Sequence, residues 1–140
     1  MKTISISGST GFVGTNLKIL FESKGFKVIS ITRNDLKNIK KLTSIVESSN
    51  VVINLAGANI INRWSESYKK ILFASRIDTT QALIEAMNNA KKKPELFISK
   101  SAIGIYKNLK YFDEENFDYE EDFLAKLCKT WEDEALKAKE

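Results

Sequence analysis

A glycine turn near the amino terminus, Gly8-Ser9-Thr10-Gly11-Phe12-Val13-Gly14, restricts what this chain can fold into more than any other stretch. Thr3 to Ser7 place Ile4 and Ile6 in an extended run before it, and Phe12 to Lys24 carry Val13, Leu17, Leu20 and Phe21 at helical spacing after it. The glycines therefore sit where the carboxyl end of a strand meets the amino end of a helix. Gly8 permits the tight turn, Gly11 lets a pyrophosphate approach the backbone, and Gly14 lets the helix lie close against the sheet. The unpaired amides and dipole of the helix face the anion. The spacing is GxxGxxG, one residue off the usual dinucleotide fingerprint, and a merely structural strand-to-helix turn is the competing reading.

Gly25 is placed to cap the first helix, and Lys27 to Thr32 predict a second strand. An acidic residue at the end of such a strand, about 20 residues beyond the turn, accepts hydrogen bonds from the adenosine ribose, whereas a cation suits a 2′-phosphate. Thr32 holds that place here and Arg33 follows it. This favours NADP over NAD, since a guanidinium matches phosphate geometry. The alternative is a surface arginine with Asp35 reaching back to the ribose.

Leu36, Ile39, Leu42, Ile45 and Val46 predict one short amphipathic helix, and Val51 to Leu55 a third strand. That strand runs into Asn54-Leu55-Ala56-Gly57, where small residues leave room for a ligand across the strand end, or simply form a loop exit. The pattern from about Ser65 to Ala90 predicts one long helix. Arg63 and Trp64 before it either border a site or pin the loop. Leu96 to Ser101 follow Pro94 as a fourth strand, Ile103 to Asp122 form an aromatic and acidic loop, and a final helix starts at an Asp122 N-cap. Strands alternating with helices predict an α/β fold with about four parallel strands and four to five flanking helices.

At 140 residues the chain is one domain's worth. It has no histidine and one cysteine, Cys128, so a disulfide framework is excluded and a metal site is not expected. Cys128 falls on the apolar face of the last helix and reads as a small buried hydrophobe. The net charge of +4 is scattered over helix outer faces, and the run Lys91-Lys92-Lys93 reads as a solvated helix end, so nucleic acid is not an expected partner. No apolar run is long enough for a membrane span and no signal peptide is present, which makes a cytoplasmic location the expectation.

The chain resembles the extended short-chain dehydrogenase/reductase superfamily, and within it the amino-terminal part of the atypical, epimerase-like branch that includes the YfcH-type proteins. The resemblance covers essentially the whole chain. It rests on the glycine turn, Asn54-Leu55-Ala56-Gly57-Ala58-Asn59-Ile60, Arg63-Trp64, Ser75-Arg76, Ser99-Lys100-Ser101-Ala102-Ile103-Gly104, and Phe123-Leu124-Ala125 leading to Leu127-Cys128 and Trp131-Glu132.

This resemblance implies a Rossmann-type sheet binding a nicotinamide dinucleotide, with Asn54 to Gly57 as the NAAG-like element beside the cofactor. It also implies that Ser101 is the catalytic Ser/Thr, whose hydroxyl holds a substrate oxygen. The superfamily's YxxxK pair does not match: with Glu132 as the anchor, its places fall on Leu124 and Cys128. The helical asparagine falls on Arg76. Tyr106 is the remaining candidate proton donor, if its loop folds inward.

Residues 1–140 thus read as an incomplete dinucleotide-binding domain, without the later strands and substrate region. The expected partners are the dinucleotide and a small carbonyl or sugar-like substrate not identified by the sequence. Uncovered apolar surface predicts either self-association as a homo-oligomer or a need for missing chain. For the chain by itself, weak dinucleotide binding and no catalysis are expected. Two roles follow: an epimerase or oxidoreductase domain, or a cofactor-binding sensor or scaffold without turnover.

Overall fold

The computed structural model describes residues 1–108 and 110–139. Four strands, β1 (Thr3–Ser7), β2 (Lys27–Ile31), β3 (Val51–Asn54) and β4 (Leu96–Ser99), form one parallel sheet in the order β2-β1-β3-β4. The helices are α1 (Phe12–Ser23), α2 (Arg33–Leu36), α3 (Ile39–Glu47), α4 (Glu66–Asn89) and α5 (Phe123–Ala135). This is the expected α/β arrangement of the Rossmann type. The chain reverses direction across the sheet after β2, so the crevice between β1 and β3 is the topological switch point, where open parallel sheets bind ligands.

Alternation along the strands decides which helix each face meets. Ile4, Ile6 and Ile53 pack with Leu17 and Phe21 of α1 on one face. On the other face Ile31 and Val52 meet Leu42 and Val46 of α3 and Leu83, Ala86 and Met87 of α4. Each fully buried aliphatic side chain contributes roughly 1.5–3 kcal/mol of transfer free energy. α5 docks on α4 through Leu127 and Trp131, which pack with Leu72 and Ile77.

Several boundaries differ from the periodicity, β3 among them, which ends at Asn54 instead of Leu55. Apolar spacing predicts one helix over Leu36 to Val46, but the segment splits into α2 and α3, because Thr32 caps the first and Asn38 the second. β2 consequently ends at Ile31, and the pairing of β4 ends at Ser99, opposite Asn54.

Leu96 and Ile98 of β4 lie in register with Val51 and Ile53, on the α1 side, yet are 50% and 43% exposed because α1 does not reach that far. The expected uncovered apolar surface is therefore at β4. No described helix is long and apolar enough to cross a membrane.

Candidate dinucleotide site

The registered row Ile31, Ser7, Asn54 and Ser99 marks the carboxyl edge of the sheet. Immediately beyond it lie Thr32-Arg33, the Gly8 turn, Leu55 to Gly57, and Lys100-Ser101. Parallel pairing thus gathers the segments singled out in the sequence, Tyr106 excepted, along one edge.

The three glycines of the turn answer to different constraints. Gly8 has φ +73°, and a Cβ there would come within 2.8 Å of the Leu55 and Ala56 backbone, so the turn and the β3 exit lie backbone to backbone. A Cβ on Gly14 would lie 2.3 Å from the Gly8 carbonyl oxygen. Gly11 is unlike both: its φ is −77°, it is exposed, and a Cβ would meet only the Gly8 oxygen, at 3.4 Å. The fold therefore requires glycine at 8 and 14 but not at 11.

The start of α1 is also distinctive. Thr32, Asn38, Ser65 and Asp122 cap α2 to α5 with their side chains, whereas Gly11 supplies no side-chain cap and the first turn of α1 carries no acidic residue. Its leading amides lack the side-chain acceptor that every other described α-helix start has. Ser9 is buried, and Thr10, Phe12 and Val13 expose their side chains around this opening.

At the end of β2, Asp35 turns away from the edge. Its carboxylate accepts from the Thr32 backbone N–H at 2.8 Å and from the Thr32 hydroxyl at 2.6 Å, while Lys41 Nζ lies 2.6 Å away. Hydrogen bonds from Lys41 and then Thr32 hold its pKa down at about 2. Asp35 is 4% exposed and fully engaged, so the alternative in which it reaches to the ribose does not match this arrangement. Arg33 stands exposed in the first turn of α2.

Asn54 points inward. Its side chain accepts from Ser7 Oγ at 2.7 Å and donates to Thr80 Oγ1 at 2.9 Å, and the Trp131 indole donates to the same oxygen at 3.0 Å. Asn54 therefore ties β1, β3, α4 and α5 together, and what its segment presents at the edge is the Leu55 to Gly57 backbone. Gly57 lies over the Arg76 guanidinium, which donates to the carbonyls of Ala58 at 3.1 Å and Leu72 at 3.2 Å. Trp64 pins the loop before α4, donating to the Ile60 carbonyl at 2.8 Å and packing edge-on against Phe123.

Ser101 donates its hydroxyl proton to the Glu132 carboxylate on α5. With that proton committed, Ser101 offers a ligand an acceptor oxygen. Beside it Lys100 Nζ lies 5.8 Å from the Trp131 ring. Leu124 packs by Gly104, and Cys128 is buried, its thiol pushed up by burial and by Glu132. Neither occupies its place as a proton donor. Tyr106 packs with Phe112, Phe117 and Tyr119, at ring separations of 5.8 to 6.0 Å, and its backbone bridges to Tyr119. Its described ring contacts are those of the loop, not of Ser101. Sequence reasoning missed Lys100 and Glu132 as neighbours of this site.

Residues 4–130 match the NAD dependent epimerase/dehydratase family. The chain belongs to that family. An epimerase family protein of Staphylococcus saprophyticus is 37% identical over 94% of this chain and 49% of its own length, and one of Bacillus subtilis, YfhF, is 33% identical over 94% and 48%. Among solved structures, human epimerase family protein SDR39U1 (isoform 2) with NADPH superposes with a TM-score of 0.83 at 30% identity, over 95% of this chain and 48% of that one. A nucleoside-diphosphate sugar epimerase from Corynebacterium glutamicum gives 0.75 at 28%, over 98% and 31%. The chain spans about half the length of the curated relatives it matches. Its parallel sheet and flanking helices superpose on about half of the human relative's chain.

Proposed function

We propose that this chain binds NADP, in preference to NAD, as the cofactor domain of an epimerase- or oxidoreductase-like protein acting on a small carbonyl or sugar-like substrate. Gly11 carries this reading. Neither its backbone angles nor its neighbours require a missing side chain, so beyond the general preference for glycine at an N-cap, close approach of a ligand is the reason we assign to glycine there. The residues present fit a dinucleotide: uncapped amides of α1 for the pyrophosphate, the backbone of Leu55 to Gly57 beside it, and Arg33 for the 2′-phosphate. The inward turn of Asp35 supports the phosphate-bearing form, because no carboxylate of that segment is left to repel it. The NADPH held by the human relative points the same way.

The second reading, a cofactor-binding sensor or scaffold without turnover, is favoured by one observation: Leu124 and Cys128 stand where a tyrosine and a lysine would transfer and support the proton. Transfer of isotope from labelled NADPH to a bound carbonyl compound separates the two.

The cofactor preference is tested by titrating NADPH and NADH, followed by nicotinamide fluorescence, with Arg33→Ala alongside. NADPH is expected to bind about tenfold or more tightly, and the variant to lose mainly that advantage. Equal affinities in the parent contradict it.

A further inference from the structure

Two cations converge on one indole at the carboxyl edge of β3 and β4. Arg76 Cζ lies 5.4 Å and Lys100 Nζ 5.8 Å from the Trp131 ring, and Trp131 itself is 1% exposed and fixed by its bond to Thr80. Neither cation has a carboxylate within ion-pair distance among the described residues, although the buried carboxylates Asp35 and Glu134 each have a lysine. Arg76 is 8% exposed, and its described bonds go to the Leu72 and Ala58 carbonyls and, at 3.5 Å, to Ser75 Oγ. Three contacts leave spare capacity on a group with five N–H donors. Lys100 Nζ has one distant oxygen, the Leu55 carbonyl at 3.5 Å.

Like charges placed together and partly removed from water are costly unless an anion compensates them. Burial and then the Arg76 charge both push the Lys100 pKa down, as expected for a site that lacks its counter-charge. The nearby acid, Glu132, keeps its charge while accepting a hydrogen bond from Ser101 and pairs with neither cation among the described residues; of the other titratable neighbours of Arg76, Cys128 is held toward its neutral thiol and Tyr68 donates its hydroxyl to the Asn59 carbonyl. Gly57 lies directly against the guanidinium, where a Cβ would come within 3.0 Å of Arg76 Cζ, so glycine there leaves the planar group undisplaced.

We propose that Lys100 and Arg76, backed by Trp131, form an anion subsite that recognises the carboxylate or phosphate of a small acidic substrate beside Ser101. The assignment to a substrate rests on the epimerase or oxidoreductase reading, whereas anion binding itself does not. It narrows the substrate class from any small carbonyl or sugar-like compound to one carrying a negative group within reach of Ser101. Lys100 supplies a mobile point charge and Arg76 a fixed planar one, a combination that accepts either a carboxylate or a phosphate.

The test uses the 140-residue chain with Trp64→Phe, which leaves Trp131 as the sole tryptophan reporter. Pyruvate and inorganic phosphate are titrated separately at constant ionic strength, and NADPH is titrated in the same preparation. A saturable change in Trp131 fluorescence with at least one ion is expected, weakened about tenfold or more by Lys100→Met and largely restored by Lys100→Arg. Which ion saturates assigns the subsite to carboxylate or phosphate. No saturable response to either ion, or an unchanged response in Lys100→Met, overturns the proposal. NADPH binding without an ion response refutes the subsite and leaves the dinucleotide reading standing. An ion response without NADPH binding supports the subsite and refutes that reading.

Discussion

The Asp35 carboxylate closes on Thr32 from two sides, accepting both its backbone N–H and its hydroxyl, and Thr32 Oγ1 in turn accepts from the Asp35 N–H at 3.2 Å. This reciprocal cap starts α2, ends β2 and engages the acidic side chain that follows the end of β2. A single local motif thereby sets both an element boundary and the charge presented at the carboxyl edge of the sheet.

Because Asp35 is held near pKa 2 against an ordinary 3.8, its ionised form is favoured by folding. The sign follows: the contribution is fully present above the unfolded value and is lost as pH falls through the folded one. It amounts to roughly 1–2 kcal/mol once screening at the exposed Lys41 is allowed for. Urea denaturation between pH 5 and pH 2 should show that the parent loses this increment and that Asp35→Asn, already lacking it, falls less steeply.

Trp131→Phe removes the indole N–H from Thr80 while keeping an aromatic ring between α4 and α5. Thr80 still accepts from Asn54, so the expected loss is about 1–2 kcal/mol, against about 3–5 for Trp131→Ala. Equal stability of parent and Trp131→Phe in chemical denaturation would remove the Thr80 bond from the account of how α5 docks.

Glycine substitutions in the turn should separate by position. Gly8→Ala meets a positive φ and the Leu55–Ala56 backbone, and Gly14→Ala meets the Gly8 carbonyl, so each should cost more than about 1–2 kcal/mol. Melting temperatures near that of the parent would show that the turn can rearrange.

The apolar strip of Leu96 and Ile98 gives the self-association expectation a place. Light scattering on the chain should report assemblies larger than one copy, dispersed by Leu96→Lys with Ile98→Lys. A sharply monodisperse monomer for the parent contradicts it.

Much of this was legible because it is local. Ile4 and Ile6 before Gly8, the helical spacing after Gly11, and the Asp122 cap each depend on neighbours within a few residues. The split between α2 and α3 was also written locally, in Thr32 three residues before Asp35 and in Asn38 before Lys41, but apolar periodicity outweighed these caps. What could not be read depended on docking. Asn54 looks like a ligand contact in the sequence, and only the positions of Ser7 and Thr80 turn it inward. The Ser101–Glu132 bond joins β4's exit to α5 across 31 positions, and Lys100 gains meaning only from the indole beneath it.

The central claim is that the turn holds a dinucleotide's pyrophosphate, and Gly11→Ala tests it most directly. The substitution meets no strained angle and only ordinary contact, so its stability should stay within about 1 kcal/mol of the parent's, the usual cost of alanine at an N-cap. NADPH affinity, measured by nicotinamide fluorescence, should nonetheless weaken about tenfold or more as the added methyl occupies the approach to the backbone. An equally stable variant that binds NADPH as the parent does would contradict the claim.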